Sequence, residues 1–273
     1  MSATALRGGH PTFVTEFGTG SRRALLIHCS LAHSGAWSGM AERLGDRLTM
    51  RAFDLPGHGR SGDWTGARDM QEMSTAMAAD VIGTDGPMDV IGHSFGATVA
   101  LRLAIERPEL VRSLVLIESV FMAAALADNP GLAARYTAQS GDYIDAVRRR
   151  DHAAAARAFM GEWGDGRPWE ALPQAQRDFL VSKIHLIEAN GPTVMEDRPG
   201  LIEKGLIEQV TQPALLMRGA ESSGFVEPIH DAIARRLPDA RQVAIKGAGH
   251  MAPITHPGVV AQEITGFLDT VPA

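Results

Sequence analysis

Short apolar runs alternate with stretches of helical periodicity through the first 120 residues. The runs are Ala24-Leu25-Leu26-Ile27, Met50-Arg51-Ala52-Phe53, Met88-Asp89-Val90-Ile91 and Leu114-Val115-Leu116-Ile117. Each has the length of a buried strand. Between them the spacing predicts helices over 37–47, 72–82 and 97–106, the last closed by Pro108. A small edge strand is expected over 12–17. From 121 to 208 no buried-strand run occurs. Ala, Arg and Met recur there at helical spacing, broken by loops near 128–131, 164–168 and 190–192. The alternation then resumes, with strands over 214–217 and 242–245 and helices over 229–237 and 257–270.

Strand–helix alternation of this kind predicts an α/β fold, a mostly parallel central sheet with helices on both faces. The stretch without strands predicts a helical cap inserted into that core. The expected division is a core domain formed by residues 1–120 and 209–273, with the insertion at 121–208.

Composition narrows the function classes. The 273 residues are 45% hydrophobic and 21% charged, with a formal net charge of −6. That balance argues against a nucleic-acid binder, which normally presents a basic face. The single cysteine, Cys29, excludes an intramolecular disulfide and a cysteine-based zinc site. Residues 1–14 lack an apolar segment of signal-peptide length. No run approaches the ~20 apolar residues that a membrane helix needs. The expectation is a soluble cytoplasmic protein acting on a small molecule, with no membrane or nucleic-acid partner.

The chemistry concentrates in Gly92-His93-Ser94-Phe95-Gly96. A Gly-x-Ser-x-Gly run is not decisive alone, so its surroundings carry the inference. An apolar strand runs straight into it and a helical pattern leaves it. A strand-to-helix turn lifts the serine hydroxyl above the sheet edge. The glycines avoid side chains where strand and helix nearly touch. The helix N-terminus behind the serine supplies unpaired N–H groups. A serine hydroxyl needs a base, and Gly247-Ala248-Gly249-His250-Met251 follows the last predicted strand. That loop sets His250 at the same sheet edge as Ser94. None of the other histidines, ten in all with His250, stands in an equally diagnostic place.

These residues resemble the α/β-hydrolase superfamily, and three further segments carry the likeness. Leu26-Ile27-His28 followed by small residues is similar to the family's oxyanion loop. Asp54-Leu55-Pro56-Gly57-His58-Gly59-Arg60-Ser61 is similar to a widespread family run. Gly247 to Met251, leading to His256-Pro257, resembles its histidine loop. The resemblance implies the α/β-hydrolase fold and acyl transfer to water without metal or cofactor. A carboxylic ester comes first, with a thioester, lactone or carbon–carbon bond as alternatives on the same residues. A non-hydrolytic ligand receptor or lyase on the same scaffold is the alternative of another class. The resemblance implies Ser94 as nucleophile, His250 as base, and the backbone N–H groups of Ser30 and Phe95 as the oxyanion hole.

Two departures stand out. Cys29 occupies a position where the family usually has glycine, which would restrict the oxyanion loop; as a residue it reads as buried packing. The usual family aspartate lies after the strand at 214–217, and there the chain reads Arg218-Gly219-Ala220-Glu221-Ser222-Ser223-Gly224, with Ser222 at the aspartate's place. Two carboxylates compete for the acid. Glu118, at the tip of the strand beside the nucleophile strand, is favoured; Glu221, one residue early, is the alternative.

Other residues invite weaker assignments. Asp54, His58, Arg60 and Ser61 read as organisers of the loop after a strand. His33 and Trp37 follow the oxyanion loop and are candidates for the substrate pocket. His185 lies on an apolar cap helix and could touch substrate. Phe121, Met122, Phe159, Met160, Trp163 and Trp169 make the cap aromatic and Met-bearing. Packing explains most of them, and a roof over an apolar or mixed small-to-medium acyl substrate is the mild inference.

Overall fold

The structure is a computed structural model and describes residues 3–272. Met1, Ser2 and Ala273, the outermost residues of the expected core domain, lie outside the described residues. The strands are β1 (Ala3–Arg7), β2 (His10–Phe17), β3 (Arg22–Ile27), β4 (Leu48–Phe53), β5 (Met88–His93), β6 (Val111–Ile117), β7 (Ala214–Gly219) and β8 (Ala240–Ile245). They form one eight-stranded sheet in the order β1-β2-β4-β3-β5-β6-β7-β8. The β1–β2 and β2–β4 pairs are antiparallel and every other pair is parallel.

Period two sorts the strand side chains onto two faces. Leu25 and Ile27 of β3, Val90 of β5 and Leu114 and Leu116 of β6 enter one apolar cluster. Ala24 and Leu26, Ile91, and Val115 and Ile117 enter the other. Both faces are therefore buried, which is why these strands read as continuous apolar runs. The first face is covered by α2 (Met70–Ile82), α3 (Phe95–Glu106), α4 (Met122–Asp128) and α11 (Val226–Arg236). The second is covered by α1 (Ser38–Leu44) and α13 (Pro257–Leu268), with the short α12 (Ala252–Thr255) beside them.

No strand occurs between β6 and β7. That stretch holds α4, then α5 (Leu132–Gln139), α6 (Gly141–Arg148), α7 (His152–Trp163), α8 (Gln174–Lys183), α9 (His185–Ala189) and α10 (Gly191–Val194). Its middle has an apolar cluster of its own, built on Ala146, Ala155, Ala156, Leu172, Leu180 and Ile184. Its two ends do not share that cluster. Met122 and Ala124 of α4, and Leu201 and Ile207, pack into the sheet's first face.

The N-terminal strand differs from expectation. Residues 12–17 form part of β2, but β2 is not an edge; β1 lies outside it. Gly8 and Gly9, both at positive φ (56° and 80°), make the two-residue turn between β1 and β2. Paired positive-φ residues match the twist of a hairpin. Only the exposed Leu6 breaks the small and polar run of β1, so apolar periodicity gives no signal there. The helix expected over 37–47 is shorter, α1 spanning Ser38–Leu44 after a 3-10 turn at Ser34–Trp37. Among the described residues no helix is long and apolar enough to cross a membrane.

Candidate active site

The strand order reverses across β4-β3-β5, a topological switch point, and the carboxyl ends of β3 and β5 open a crevice there. Ser94 stands at that edge, between β5 and α3. Its backbone is held at φ 57°, ψ −117°, a conformation that L side chains rarely adopt. The approach is close enough to require both flanking glycines. A Cβ on Gly92 would lie 2.3 Å from Gly96 O, and one on Gly96 would lie 2.2 Å from Ile27 O. The Ser94 N–H donates to Ile117 O at 2.8 Å, tying the turn to β6.

His250, on the loop between β8 and α12, is buried at 5% exposure. Its Nε2 lies 2.9 Å from Ser94 Oγ, and its Nδ1 lies 2.9 Å from Glu118 Oε2. Glu118 is fully buried. Its other oxygen, Oε1, accepts the Ser222 hydroxyl at 2.7 Å and the Gly219 backbone N–H. Burial pushes the Glu118 carboxyl up, but the bond and charge of His250, with Ser222 and Gly219, outweigh it and hold the group below the usual carboxylate range. Glu118 is thus ionised where it faces the imidazole. Glu221 is not brought to this cluster. It is exposed, and its backbone N–H donates to Ala248 O at 2.9 Å. That bond docks the loop after β7 onto the histidine loop.

A family model for the alpha/beta hydrolase family matches residues 24–263. The chain belongs to the alpha/beta hydrolase family. Among curated relatives, a pimeloyl-[acyl-carrier protein] methyl ester esterase of Nitrosomonas europaea is 29% identical over 244 residues, covering 85% of this chain and 90% of that protein. Among solved structures, carboxylesterase CesB of Bacillus subtilis superposes with a TM-score of 0.70 at 19% identity, covering 98% of this chain and 91% of its own. Epoxide hydrolase VrEH1 of Vigna radiata superposes with a TM-score of 0.72 at 18% identity, covering 98% and 97%. The two structural likenesses show the fold alone; they accompany different reactions.

In this alpha/beta hydrolase the loop expected to carry the oxyanion donors follows β3. His28 donates from Nδ1 to Cys29 O at 2.7 Å and accepts the Leu55 N–H at Nε2, 3.0 Å away. Across a trans peptide the N–H points opposite the C=O, so the Ser30 N–H is directed away from His28. His58 fixes the next peptide by the same device. Its Nδ1 donates to Pro56 O at 2.9 Å and its Nε2 accepts the Leu31 N–H at 3.0 Å. Burial lowers His28 to about 3 and His58 to about 4. Both rings are therefore neutral and keep an acceptor nitrogen. The residue at positive φ in this loop is Leu31 (63°), not Cys29, so cysteine needs no glycine-like backbone. Burial pushes the Cys29 thiol up to about 12, which leaves it protonated. The Phe95 N–H sits at the first turn of α3.

Asp54 organises the following turn. Oδ1 accepts the Ser34 N–H at 2.6 Å and Oδ2 the Arg60 N–H at 2.8 Å, while Ser61 Oγ donates to Asp54 O. Burial raises this carboxyl; the N–H groups of Arg60 and Ser34 more than offset it and hold it below the usual range.

A cavity of about 710 Å³ opens over Ser94, with Met122, Tyr143, Phe159, Trp163 and Ile187 among its walls. His33 lines it. Trp37 does not; it is buried beneath and meets His93 edge-on at 6.5 Å. His185 lies instead in a smaller cleft with Arg148, Arg150, His152 and Glu188.

Four contributors join the site in ways the sequence does not show, Trp163 being expected only as a roof residue. Trp163 places its indole edge-to-face against the His250 ring, with centroids 4.9 Å apart. His93 donates from Nε2 to His250 O at 2.8 Å, and burial lowers it to about 3. Glu162 accepts from Ser223 Oγ at 3.0 Å, joining α7 to the loop that holds Glu118. Asn190 donates from Nδ2 to Ser30 Oγ at 3.2 Å. Each pairs segments far apart in the chain. His93 alone had a local signal, since it sits inside the Gly-x-Ser-x-Gly run.

Proposed function

We propose that Ser94, His250 and Glu118 cleave a carboxylic ester by way of an acyl-enzyme. The single observation that carries the reading is the continuous Ser94 Oγ–His250 Nε2 and His250 Nδ1–Glu118 Oε2 geometry, each link 2.9 Å long. Nucleophile and base stand within hydrogen-bond reach, and a third group orients the base. Ser94 Oγ attacks the ester carbonyl while its proton passes to His250 Nε2. Glu118 keeps the Nδ1–H tautomer and stabilises the imidazolium. The carbonyl electron pair collects on oxygen, facing the N–H groups of Ser30 and Phe95. Collapse expels the alkoxide, which takes the proton from His250. Water, deprotonated by His250, then attacks the acyl carbon. The adduct collapses with cleavage of the bond to Ser94 Oγ, which takes the proton back from His250 as the acid leaves.

An ester bond is supported by the curated relative, named for a methyl ester. The cavity walls favour an apolar, small-to-medium acyl group. We take residues 121–208 as the cap that roofs this cavity, and the cytoplasm as the location suggested by a single buried cysteine.

The test is hydrolysis of p-nitrophenyl esters of graded acyl length, together with labelling of Ser94 by a fluorophosphonate. Turnover and labelling are expected in the wild type and neither in Ser94→Ala. A wild type that does neither overturns the reading.

A further inference from the structure

Ser30 carries a second donor. Ser30 lines the cavity with Ser94 and Phe95, and its Oγ receives the Nδ2–H of Asn190. Asn190 precedes α10 and is buried at 6% exposure. Its Oδ1 has no partner among the described residues. The orientation of the amide follows from its donors and acceptors. With Nδ2 toward Ser30, the atom left unpaired is a carbonyl oxygen. The reverse would leave both N–H groups buried without an acceptor, and buried N–H groups are the rarer orphans. Ser30 Oγ is therefore an acceptor toward Asn190. Among the described residues nothing accepts its own proton.

We propose that this hydroxyl is a third donor to the oxyanion, with Ser30 a catalytic residue and Asn190 the positioning residue that orients it. The proposal rests on the ester-hydrolase reading of Ser94. In the acylation step a bond forms between Ser94 Oγ and the carbonyl carbon. The π pair moves to the carbonyl oxygen and the Ser94 proton moves to His250. The Ser30 proton is shared with the new oxyanion and is not transferred. A hydroxyl that already accepts a bond is polarised into a better donor, and such help grows as charge develops. Because Asn190 belongs to the segment between β6 and β7, the donor is in place only while that segment is seated on the oxyanion loop.

The experiment uses the full chain, p-nitrophenyl esters and a trifluoromethyl ketone that mimics the tetrahedral adduct. Thermal melts check that each variant is folded. Ser30→Ala is expected to lower kcat about 10²-fold, as for a lost oxyanion donor, with ketone affinity falling in parallel and KM little changed. Ser30→Thr keeps the hydroxyl and is expected to recover most of the loss. Asn190→Asp supplies a carboxylate that accepts the Ser30 proton and so reverses the bond. It is expected to cost as much as Ser30→Ala alone and nothing further in the Ser30→Ala background. The proposal is overturned by a Ser30→Ala enzyme with near wild-type kcat, by unchanged ketone affinity, or by additive Asn190→Asp and Ser30→Ala effects. A wild type without labelling or turnover overturns the underlying hydrolase reading first.

Discussion

Ser94 and Glu118 stand side by side, each one step beyond the last register pair of β5 and β6, His93 with Ile117, and each at positive φ, 57° and 55°. The two strands thus both end at a residue of positive φ, one presenting the hydroxyl and the other the carboxylate. His250 spans them from the opposite loop. The consequence is specific to Glu118. Glu118→Gln is expected to lower kcat/KM by about 10² or more, the order of a lost triad acid. Glu221→Gln is expected to stay near wild type. Steady-state kinetics on folded variants decides it, and a large loss at position 221 alone would reassign the acid.

Ser222 and Gly219 hold Glu118 Oε1 from the loop after β7. Ser222 Oγ, 2.7 Å from the carboxylate, marks a place from which another carboxylate could address the same site. In Glu118→Gln, adding Ser222→Asp is expected to restore about tenfold of the lost kcat/KM, since the charge is what the imidazolium lacks. In the wild-type background Ser222→Asp sets two carboxylates together and is expected to lower activity. A double variant no better than Glu118→Gln would show that position 222 cannot reach the histidine.

Acid lability follows from buried neutral histidines. Burial lowers His28 and His93 to about 3 and His58 and His230 to about 4. Their folded values lie below the unfolded value of about 6.5. Stability is therefore intact above pH 6.5 and is lost as pH falls from there toward the folded values, where the unfolded chain binds protons that the folded one refuses. Each histidine contributes a slope of about 1.4 kcal/mol per pH unit in that window. Glu118, also depressed, adds its own loss at still lower pH. Urea midpoints should be flat from pH 8 to 7 and fall steeply between pH 6 and 4.5. A flat profile through that lower range would contradict the neutral assignments.

Two adjacent residues of α7 reach the core by different routes. Trp163 packs on His250, and Glu162 accepts from Ser223, Ser140 and Gln139. Glu162→Ala leaves those donors without their shared acceptor and loosens α7 from the loop that holds Glu118. We expect KM to rise about three- to tenfold and proteolytic nicking within 121–208 to quicken, with a smaller change in kcat. Unchanged nicking and KM would show that Trp163 and the apolar walls suffice to seat the helix.

Much of the core was legible in sequence because its signals are local. A parallel strand buried on both faces must be apolar along its length, so β3, β5, β6 and β7 announce themselves. The turn at Ser94 demands small residues within two positions of it, so the position of Ser94 is written in five letters and their flanks. The hairpin strand β1 was missed because its residues are small or polar, its turn at Gly8-Gly9 being the sole cue.

What the sequence determined, then, is the frame, the serine and the late loop bearing His250. Each follows from backbone geometry between neighbours. What only the tertiary structure decided is which partners converge there. Glu118 and Glu221 are both carboxylates after strands; the strand pattern favours Glu118 without excluding Glu221. The separation comes from register, which sets Glu118 beside Ser94, and from the docking of Glu221 N–H on Ala248, which turns that loop so that Ser222, not Glu221, faces the acid. The pairing of Asn190 with Ser30 spans 160 residues. Contacts of that separation are fixed by how helices pack on the sheet edge, and packing leaves no periodic trace in the chain.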